Sequence, residues 1–270
     1  MSYEKMLRKL FHGVDLKVED LYLLEPFQID TLQNRVPEQE FAAVLFAYPN
    51  IKYFLINKHP PIAEYIQRVQ DKHGPAANKK DLAEFCDRLI WEIAELLIYD
   101  KYPEIYDKRA IMGWDFKDIT SVVSLKDKIV IDAGAGTGRV AFKAIKDADI
   151  VFAVEPCASL RRFIRKKAKK NNISNLFVVD GFLHEIPLPE GFADALITSN
   201  AIGWKLEDEL KEIERIVKPG GTVIHLGSSS NTDDPFKQHL TKPEWQYNYS
   251  EYKKNEDIIR KYWKQIQEKK

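Results

Sequence analysis

The sequence predicts an α/β fold, in which a mostly parallel sheet lies between helices on both faces and a helical domain precedes it. Two observations support this prediction. From Leu125 onward, short apolar runs alternate with segments of helical periodicity, as repeated strand–helix units require. Residues 1–105 show helical periodicity alone. We therefore expect a helical N-terminal domain or lid over residues 1–105 and an α/β domain over residues 106–270.

The clearest predicted helix of the N-terminal domain runs from Lys79 to Lys101, where apolar residues recur at helical spacing. Asn78 stands at the N-cap position, and Pro103 lies just beyond the last turn, where a helix is expected to stop. Shorter helices are predicted over Glu38–Phe54 and Ile62–Val69. We expect the aromatic residues of these segments to fill a helical core.

Five short apolar runs after residue 125 predict buried parallel strands. They span Lys128–Ala133, Ile150–Glu155, Leu176–Asp180, Ala193–Ser199 and Thr222–Gly227. Helices are predicted between them over Arg139–Lys146, Ala158–Lys170 and Leu206–Val217. Only 13 residues, 181–193, join the third strand to the fourth, so this crossover is predicted to lack a full helix.

The C-terminal segment predicts an antiparallel hairpin at the edge of the sheet. Trp245, Tyr247 and Tyr249 alternate with polar residues, as in a half-buried strand. After a polar stretch, Ile258–Ile266 is again strand-like, although a helix is an alternative for that segment.

The composition excludes several classes of protein. Lys and Arg together number 41, as do Asp and Glu, so no net charge indicates a nucleic-acid or anionic-membrane partner. Cys86 and Cys157 lack the spacing of a disulfide framework or of a zinc site. No segment has the profile of a signal peptide or of a membrane span. We expect a cytoplasmic protein with no metal site and no membrane association.

A glycine-rich loop follows the first predicted strand. Gly134, Gly136 and Gly138 alternate with other residues, and a predicted helix begins directly after them. Glycines at this spacing let the backbone turn sharply and approach a ligand, towards which the helix points its N-terminal amides. In the dinucleotide fingerprint, the third glycine would stand where this chain has Arg139. Asp132, just before the loop, would repel a pyrophosphate and suits a ligand with an ammonium group and a sulfonium.

The stretch from Asp132 to Gly138 resembles the first motif of class I S-adenosylmethionine-dependent methyltransferases, and the small-molecule group called type 11 is the most similar. The resemblance implies a Rossmann-like seven-stranded sheet whose last strand is antiparallel. It implies S-adenosyl-L-methionine as the cofactor and S-adenosyl-L-homocysteine as the product. It also implies that the loop residues surround the methionine part of the cofactor: Asp132, Ala133, Gly134, Ala135, Gly136 and Gly138.

Further residues match this family at the ends of later strands. Glu155, followed by Pro156, would accept hydrogen bonds from both ribose hydroxyls. Asp180 would accept a hydrogen bond from the adenine amine, with Gly181 and Phe182 beside the ring. Four more cofactor contacts are implied, before the first strand and after the fourth: Tyr106, Trp114, Ser199 and Asn200.

No catalytic residue is predicted. The sulfonium methyl group is already activated, so the protein must mainly align the acceptor with the S–CH₃ bond. His184 and His225 are the nearest basic side chains, and we expect a surface-loop position for His184 and a hydrogen-bonded core position for His225. The segment after the fourth strand lacks the N/D-P-P-Y/F sequence of many enzymes that methylate planar nitrogens.

The resemblance leaves the methyl acceptor open. A small molecule is the first interpretation. RNA or protein is an alternative, with residues 1–105 and the basic segment Arg161–Lys170 as docking surfaces, although the cations of that segment also suit a solvated helix face. A non-catalytic, cofactor-binding interaction protein is a third interpretation, and nicotinamide reduction is a fourth. The oligomeric state is not predicted.

Overall fold

The computed structural model describes residues 3–108, 113–229 and 231–268. The chain divides into two compact units, Met1–Arg109 and Ala110–Lys270. This division falls four residues beyond the predicted boundary after residue 105. None of the helices in the described ranges is both long enough and apolar enough to cross a membrane.

The N-terminal unit consists of short helices. The α-helices are α1 (Tyr3–Leu10), α2 (Pro26–Thr31), α3 (Glu38–Ala47), α4 (Pro49–Lys58), α5 (Ile62–Lys72), α6 (Lys79–Glu92), α7 (Ala94–Lys101) and α8 (Pro103–Lys108). Two 3₁₀ helices span Val18–Leu23 and Leu32–Asn34. The apolar faces of these elements enclose a core of fully buried side chains, among them Leu21, Phe41 and Leu55.

The predicted helix over Lys79–Lys101 is wrong as a single helix, because Ile93 leaves helical geometry between α6 and α7 (φ −115°, ψ 15°). Ile93 is fully buried and is not a helix-breaking residue type, so the apolar pattern continues through the break. The predicted N-cap is confirmed, since Asn78 Oδ1 accepts hydrogen bonds from the backbone N–H groups of Lys80 and Asp81, at 2.9 and 3.0 Å.

The predicted helix over Glu38–Phe54 is also divided in two, and here the cause is a proline. The residue before a proline avoids the α region, and Tyr48 does so with φ −123° and ψ 69°. Pro49 then begins α4, where its missing N–H costs no hydrogen bond.

The C-terminal unit is built on one seven-stranded sheet. Its strands are β1 (Ile129–Ala133), β2 (Ile150–Val154), β3 (Leu176–Val179), β4 (Ala193–Ser199), β5 (Val217–Ser229), β6 (Asn248–Lys254) and β7 (Asp257–Gln265). The strand order is β3-β2-β1-β4-β5-β7-β6. β1 to β5 are parallel, whereas β7 is antiparallel to both of its neighbours, β5 and β6. The predicted Rossmann-like sheet with an antiparallel last strand is confirmed.

The five predicted parallel strands are all present, and the fifth begins earlier than predicted. Ala193 of β4 pairs with Val217 of β5. Ala195, two residues further along β4, pairs with Thr222, five residues further along β5. The extra residues of β5 form a bulge, in which Gly220 takes a left-handed φ of 77°. The glycines of this segment therefore shape a strand rather than only ending the helix before it.

The predicted C-terminal hairpin is confirmed, and the helical alternative for Ile258–Ile266 is wrong. β7 lies between β5 and β6, and both of its edges are hydrogen-bonded. Trp245 and Tyr247 precede β6 instead of belonging to it, and both are buried against one face of the sheet. Their alternation with polar residues reflects this packing and not a strand.

Five short helices connect or flank these strands: α9 (Lys117–Thr120), α10 (Ala141–Ala144), α11 (Ala158–Lys170), α12 (Leu206–Ile216) and α13 (Lys237–Leu240). α10 is shorter than predicted, because residues 139–140 still belong to the turn after the glycine loop. Residues 180–192 are all described and contain no helix, which confirms the short crossover from β3 to β4. Because β1 to β5 are parallel, the segments that follow them meet at one edge of the sheet.

Candidate functional site

The glycine loop after β1 depends on three residues in left-handed conformations. Gly134, Gly136 and Gly138 have φ values of 70°, 57° and 79°. The N–H groups of Gly134 and Ala135 donate to the carbonyl of Val154 at 2.9 and 3.1 Å, which ties the loop to the end of β2. At Gly134 a Cβ atom would be strained at this φ, and it would also lie 2.4 Å from a side-chain atom of the segment after β4.

Asp132 is buried at the end of β1. Its Oδ2 accepts a hydrogen bond of 2.9 Å from the backbone N–H of Ala141, the first residue of α10. This bond fastens the start of the helix to the strand. Burial raises the pKa of Asp132 to about 7, although the bond from Ala141 acts in the opposite direction.

Glu155 follows β2 and joins it to the glycine loop. Its Oε2 accepts a hydrogen bond from the N–H of Gly136 at 2.8 Å, and its Oε1 accepts one from the N–H of Cys157 at 2.9 Å. The side chain is buried, and burial raises its pKa to about 7 despite these two bonds. The charge of Asp132 contributes to the same increase in the pKa of Glu155. Two carboxyl groups of raised pKa thus lie at the glycine loop.

Thr137 provides a test of whether a ligand fits this loop. Its side chain is only 1% exposed, yet the hydroxyl oxygen has no hydrogen-bond partner among the residues that the structure describes. A buried polar group without a partner is costly, and such groups frequently mark a place where a ligand binds. The unpartnered hydroxyl, the loop amides and the two carboxylates fit a ligand that carries hydroxyl, ammonium and carboxylate groups.

Asp180 lies just beyond β3, and its side chain is 68% exposed. It pairs with Arg161 of α11 at 2.8 Å, and the same guanidinium donates to the backbone carbonyls of Glu155 and Pro156. Arg161 therefore holds the turns after β2 and β3 together. The two predicted residues Glu155 and Asp180 therefore lie on adjacent turns, at the carboxyl ends of the neighbouring strands β2 and β3.

Gly181 and Phe182 form the turn after Asp180. A Cβ atom at Gly181 would lie 2.8 Å from the ring of Pro187, so this turn has no room for a side chain. The half-buried Phe182 ring stacks on His184, with ring centroids 5.3 Å apart. Phe182 thus lies in the same turn as Asp180, and its role as an adenine contact stays a prediction.

Trp114 is brought to the carboxyl end of β4. Its indole Nε1–H donates to Ser199 Oγ at 2.7 Å, and both residues are buried. The ammonium group of Lys143 lies 5.1 Å from the centre of the indole ring. The structure therefore joins two of the predicted cofactor contacts, Trp114 and Ser199.

Tyr106 belongs to α8 of the N-terminal unit. It is buried there, and its ring makes an edge-on contact with Tyr99 at a centroid distance of 4.7 Å. Its role as a cofactor contact stays a prediction.

The segment Asn200–Lys205, here called the acceptor loop, connects β4 to α12. Asn200 has a left-handed φ of 51°, and its Oδ1 accepts a hydrogen bond from the N–H of Ser228 in β5 at 2.9 Å. Ala201 is the residue that a Cβ atom on Gly134 would strike. The acceptor loop therefore lies directly against the glycine loop.

Glu209 holds the other end of the acceptor loop, and the sequence reasoning missed it. Its buried carboxylate accepts hydrogen bonds from three consecutive backbone N–H groups, those of residues 203, 204 and 205, at 2.7 to 3.0 Å. An acidic residue in the first turn of a helix, here α12, is the signal that could have identified it.

The two histidines occupy different environments. His225 is buried, and its ring nitrogens lie 2.8 Å from Thr198 Oγ1 and 3.1 Å from the Tyr247 hydroxyl, which confirms the predicted core position. Burial and the nearby Lys264 lower its pKa to about 3. His184 lies in the turn after β3, with its Nε2 3.3 Å from the ammonium group of Lys205.

Part of this chain is similar in sequence to known methyltransferases. Residues 131–225 match a methyltransferase domain family, type 11. An uncharacterised methyltransferase of Geobacillus kaustophilus is 23% identical over 157 residues, with 53% of this chain and 71% of that protein covered. The histone-arginine methyltransferase CARMER of Drosophila erecta is 34% identical over 104 residues, which cover 38% of this chain and 18% of that protein. The chain thus spans only a small part of the arginine enzyme.

Solved structures are also similar. A SAM-dependent methyltransferase from Aquifex aeolicus matches with a TM-score of 0.47 and 15% identity, over 63% of this chain and 92% of that one. A putative methyltransferase from Bacillus halodurans matches with a TM-score of 0.47 and 14% identity, over 56% of this chain and 98% of that one.

Proposed function

The chain belongs to the class I superfamily of S-adenosylmethionine-dependent methyltransferases, and on that premise we propose that it transfers the methyl group to a small-molecule acceptor. The superfamily defines the methyl donor. The nature of the acceptor is the part that we propose here.

The cofactor site that we propose is supported most strongly by Glu155, which is buried between the glycine loop and the turn after β2. Each of its oxygens accepts one backbone N–H and keeps a lone pair for a ribose hydroxyl. We assign the methionine part to the loop, where Asp132 would balance its ammonium charge and the backbone turn at Thr137 would lie beside its carboxylate. The unpartnered hydroxyl of Thr137 adds a donor there.

The adenine end of the proposed site lies at Asp180, with Gly181 and Phe182. The Asp180 carboxylate would accept from the exocyclic amine, and the Phe182 ring would cover one face of the base. Trp114 and Ser199 lie next to the glycine loop at the end of β4 and would border the methionine part. Tyr106, and the backbone of Asn200, complete the proposed contacts.

The cofactor supplies a methyl group already activated by its sulfonium. The task of the chain is therefore to hold the acceptor in line and to exclude water. Glu209 and Ser228 fix the two ends of the acceptor loop beside the glycine loop, so the loop is pre-organised for that task. His225 takes no part as a base, because it is buried and hydrogen-bonded within the sheet.

A small acceptor is favoured by the charge of the acceptor loop. The Glu209 carboxylate at the end of this loop is buried and bonded to three backbone amides, so it is not free to bind a guanidinium or ammonium group. Within the loop itself the single charged side chain is that of Lys205. This arrangement does not suit the cationic side chains that protein methyltransferases of the arginine type act on.

The test separates the three classes of acceptor. The protein is incubated with S-adenosylmethionine carrying a deuterated methyl group and, in parallel, with a low-molecular-weight cell filtrate, total RNA and total protein. We expect the label in a compound of the filtrate. Label in RNA or in protein alone would contradict the proposal while leaving the methyltransferase assignment intact.

Two further proposals rest on the sequence. We propose that residues 1–105 are a helical N-terminal domain or lid, as their helical periodicity suggests. We also propose a cytoplasmic location, because Cys86 and Cys157 lack the spacing of a disulfide framework.

A further inference from the structure

The acceptor loop is hydrogen-bonded at both ends, and at one end this requires a buried carboxylate. Burying the Glu209 carboxylate removes it from water, and three charge-assisted hydrogen bonds from consecutive amides offset that cost. At the other end, the left-handed Asn200 is bonded to β5 through Ser228. Both ends of the loop are therefore fixed by hydrogen bonds.

This conformation presents an aromatic surface. Trp204, whose backbone N–H is one of the three bonded to Glu209, is 59% exposed. Gly203, with a φ of 119°, packs against the ring of Phe236, which would lie 2.8 Å from a Cβ atom at that position. An exposed indole on the loop, with the ring of Phe236 from the segment before α13 packed against the neighbouring Gly203, is an arrangement that suits flat aromatic groups.

The orientation of the Asn200 side-chain amide is determined by its contact with Ser228. The backbone N–H of Ser228 is a donor, so the Asn200 atom that faces it at 2.9 Å must be the oxygen. The amide NH₂ of Asn200 is then directed elsewhere, and it can only donate. Asn200 is adjacent in sequence to Ala201, which lies against Gly134 of the glycine loop.

A donor at this position discriminates between nucleophiles. An amine must be held through its N–H groups if its lone pair is to attack, and that requires hydrogen-bond acceptors. A phenolic oxygen has several lone pairs, so one can accept from Asn200 while another attacks. We propose that the acceptor is a phenolic compound, whose ring packs on Trp204 and Phe236 and whose oxygen is bound by the Asn200 amide.

This proposal rests on the proposed function and narrows its substrate class. The phenol loses its proton to water before transfer, and the Asn200 donor favours the resulting phenolate. An oxygen lone pair forms the new O–CH₃ bond, the S–CH₃ bond breaks, and its electron pair stays on sulfur. The products are an aryl methyl ether and S-adenosylhomocysteine, and no basic side chain is needed.

The test uses the full chain saturated with S-adenosylhomocysteine. The Asn200 side-chain amide and the Trp204 indole are followed by NMR, after assignment with the Asn200→Asp and Trp204→Phe variants. Three probes of similar size are titrated: 4-methylphenol, 4-methylaniline and 4-methylcyclohexanol. We expect 4-methylphenol to shift both signals and to bind about ten-fold more tightly than either of the other two.

A matched pair of variants tests the anchoring. Glu209→Gln replaces one of the accepting oxygens with an NH₂ group, so we expect about ten-fold weaker binding of 4-methylphenol with unchanged affinity for S-adenosylhomocysteine. Glu212→Gln makes the same change one turn along α12, where the side chain accepts from Ile186 instead, and should leave probe binding unchanged. Should Glu209→Gln fail to fold, Trp204→Leu tests the same surface and should weaken the probe similarly.

The outcomes distinguish the phenolic-acceptor proposal from the proposed methyltransferase function on which it rests. If S-adenosylhomocysteine binds but 4-methylphenol shifts neither signal, or binds no better than the amine and the alcohol, the phenolic acceptor is wrong and the methyltransferase assignment stands. Equal loss of probe binding in Glu209→Gln and Glu212→Gln would also overturn it. If S-adenosylhomocysteine itself does not bind, the proposed function fails as well.

Discussion

Replacing Asp132 with asparagine should stabilise the fold at alkaline pH while weakening cofactor binding. Burial raises the pKa of this carboxyl from 3.8 to about 7. Below pH 3.8 the group is neutral in both states and costs nothing. As the pH rises towards 7, the unfolded chain releases the proton first, so the free energy of unfolding falls; above about pH 7 the loss is complete. At about 1.4 kcal/mol per pH unit, the full loss is about 4 kcal/mol.

Asparagine keeps the shape of the side chain and an oxygen for the N–H of Ala141, but it never ionises. We therefore expect Asp132→Asn to raise the free energy of unfolding by up to about 4 kcal/mol at pH 8.5 and by less than about 1 kcal/mol at pH 4. Urea unfolding at the two pH values measures the difference. A titration with S-adenosylhomocysteine at pH 8.5 should show weaker binding, since the variant cannot balance the ammonium charge.

Asp194 offers a control of opposite sign. Its carboxylate pairs with Lys218 at 2.8 Å and accepts from the N–H of Ile129, and the hydrogen bond from Lys218 is the main cause that lowers its pKa. Asp194→Asn should therefore destabilise the fold at pH 8.5, where its charge contributes. If Asp132→Asn destabilises the protein as Asp194→Asn does, or shows the same effect at both pH values, the reasoning about burial is refuted.

Four other changes are predicted from the same geometry. Glu155→Gln should weaken S-adenosylhomocysteine binding by about ten- to a hundred-fold in calorimetry, because it loses a charged acceptor, and Glu185→Gln at an exposed position should not. The affinity of the wild type for S-adenosylhomocysteine should rise with pH across about pH 7, since Asp132 and Glu155 must both be ionised to bind it. An affinity that stays constant from pH 6 to 8.5 would contradict this. Trp114→Phe removes the bond to Ser199 and should lower the free energy of unfolding by about 1–2 kcal/mol; an unchanged urea midpoint would count against that bond. Tyr106→Phe should weaken cofactor binding measurably, and unchanged affinity would remove Tyr106 from the site.

The sequence predicted those parts of the fold that depend on local pattern. Buried parallel strands are apolar on both faces, so β1 to β4 were visible as short runs with nearly correct ends. The glycine loop was visible because glycine adopts left-handed φ values, like those found at Gly134, Gly136 and Gly138, more readily than other residues do. The break at Ile93 was not visible, because an isoleucine that leaves helical geometry for tertiary reasons keeps the apolar spacing of the helix.

The candidate site was predictable in its residue types and not in its connections. Asp132, Glu155 and Asp180 were found from the resemblance to the family and from their positions at the ends of strands. That Glu155 bridges the glycine loop to the turn after β2 depends on the three-dimensional approach of two loops. Glu209 could have been suspected from its place in the first turn of α12, but the three backbone amides that it binds are brought to it only by the fold.

The central claim is that the glycine loop and Glu155 bind S-adenosylmethionine. Isothermal titration of the wild-type chain with S-adenosylhomocysteine and, separately, with NADH tests it most directly, with Glu155→Gln as the paired variant. We predict one molecule of S-adenosylhomocysteine bound per chain, a clear loss of affinity in the variant, and no heat from NADH. Binding of NADH in place of S-adenosylhomocysteine, or equal affinity of the wild type and Glu155→Gln, would contradict the account.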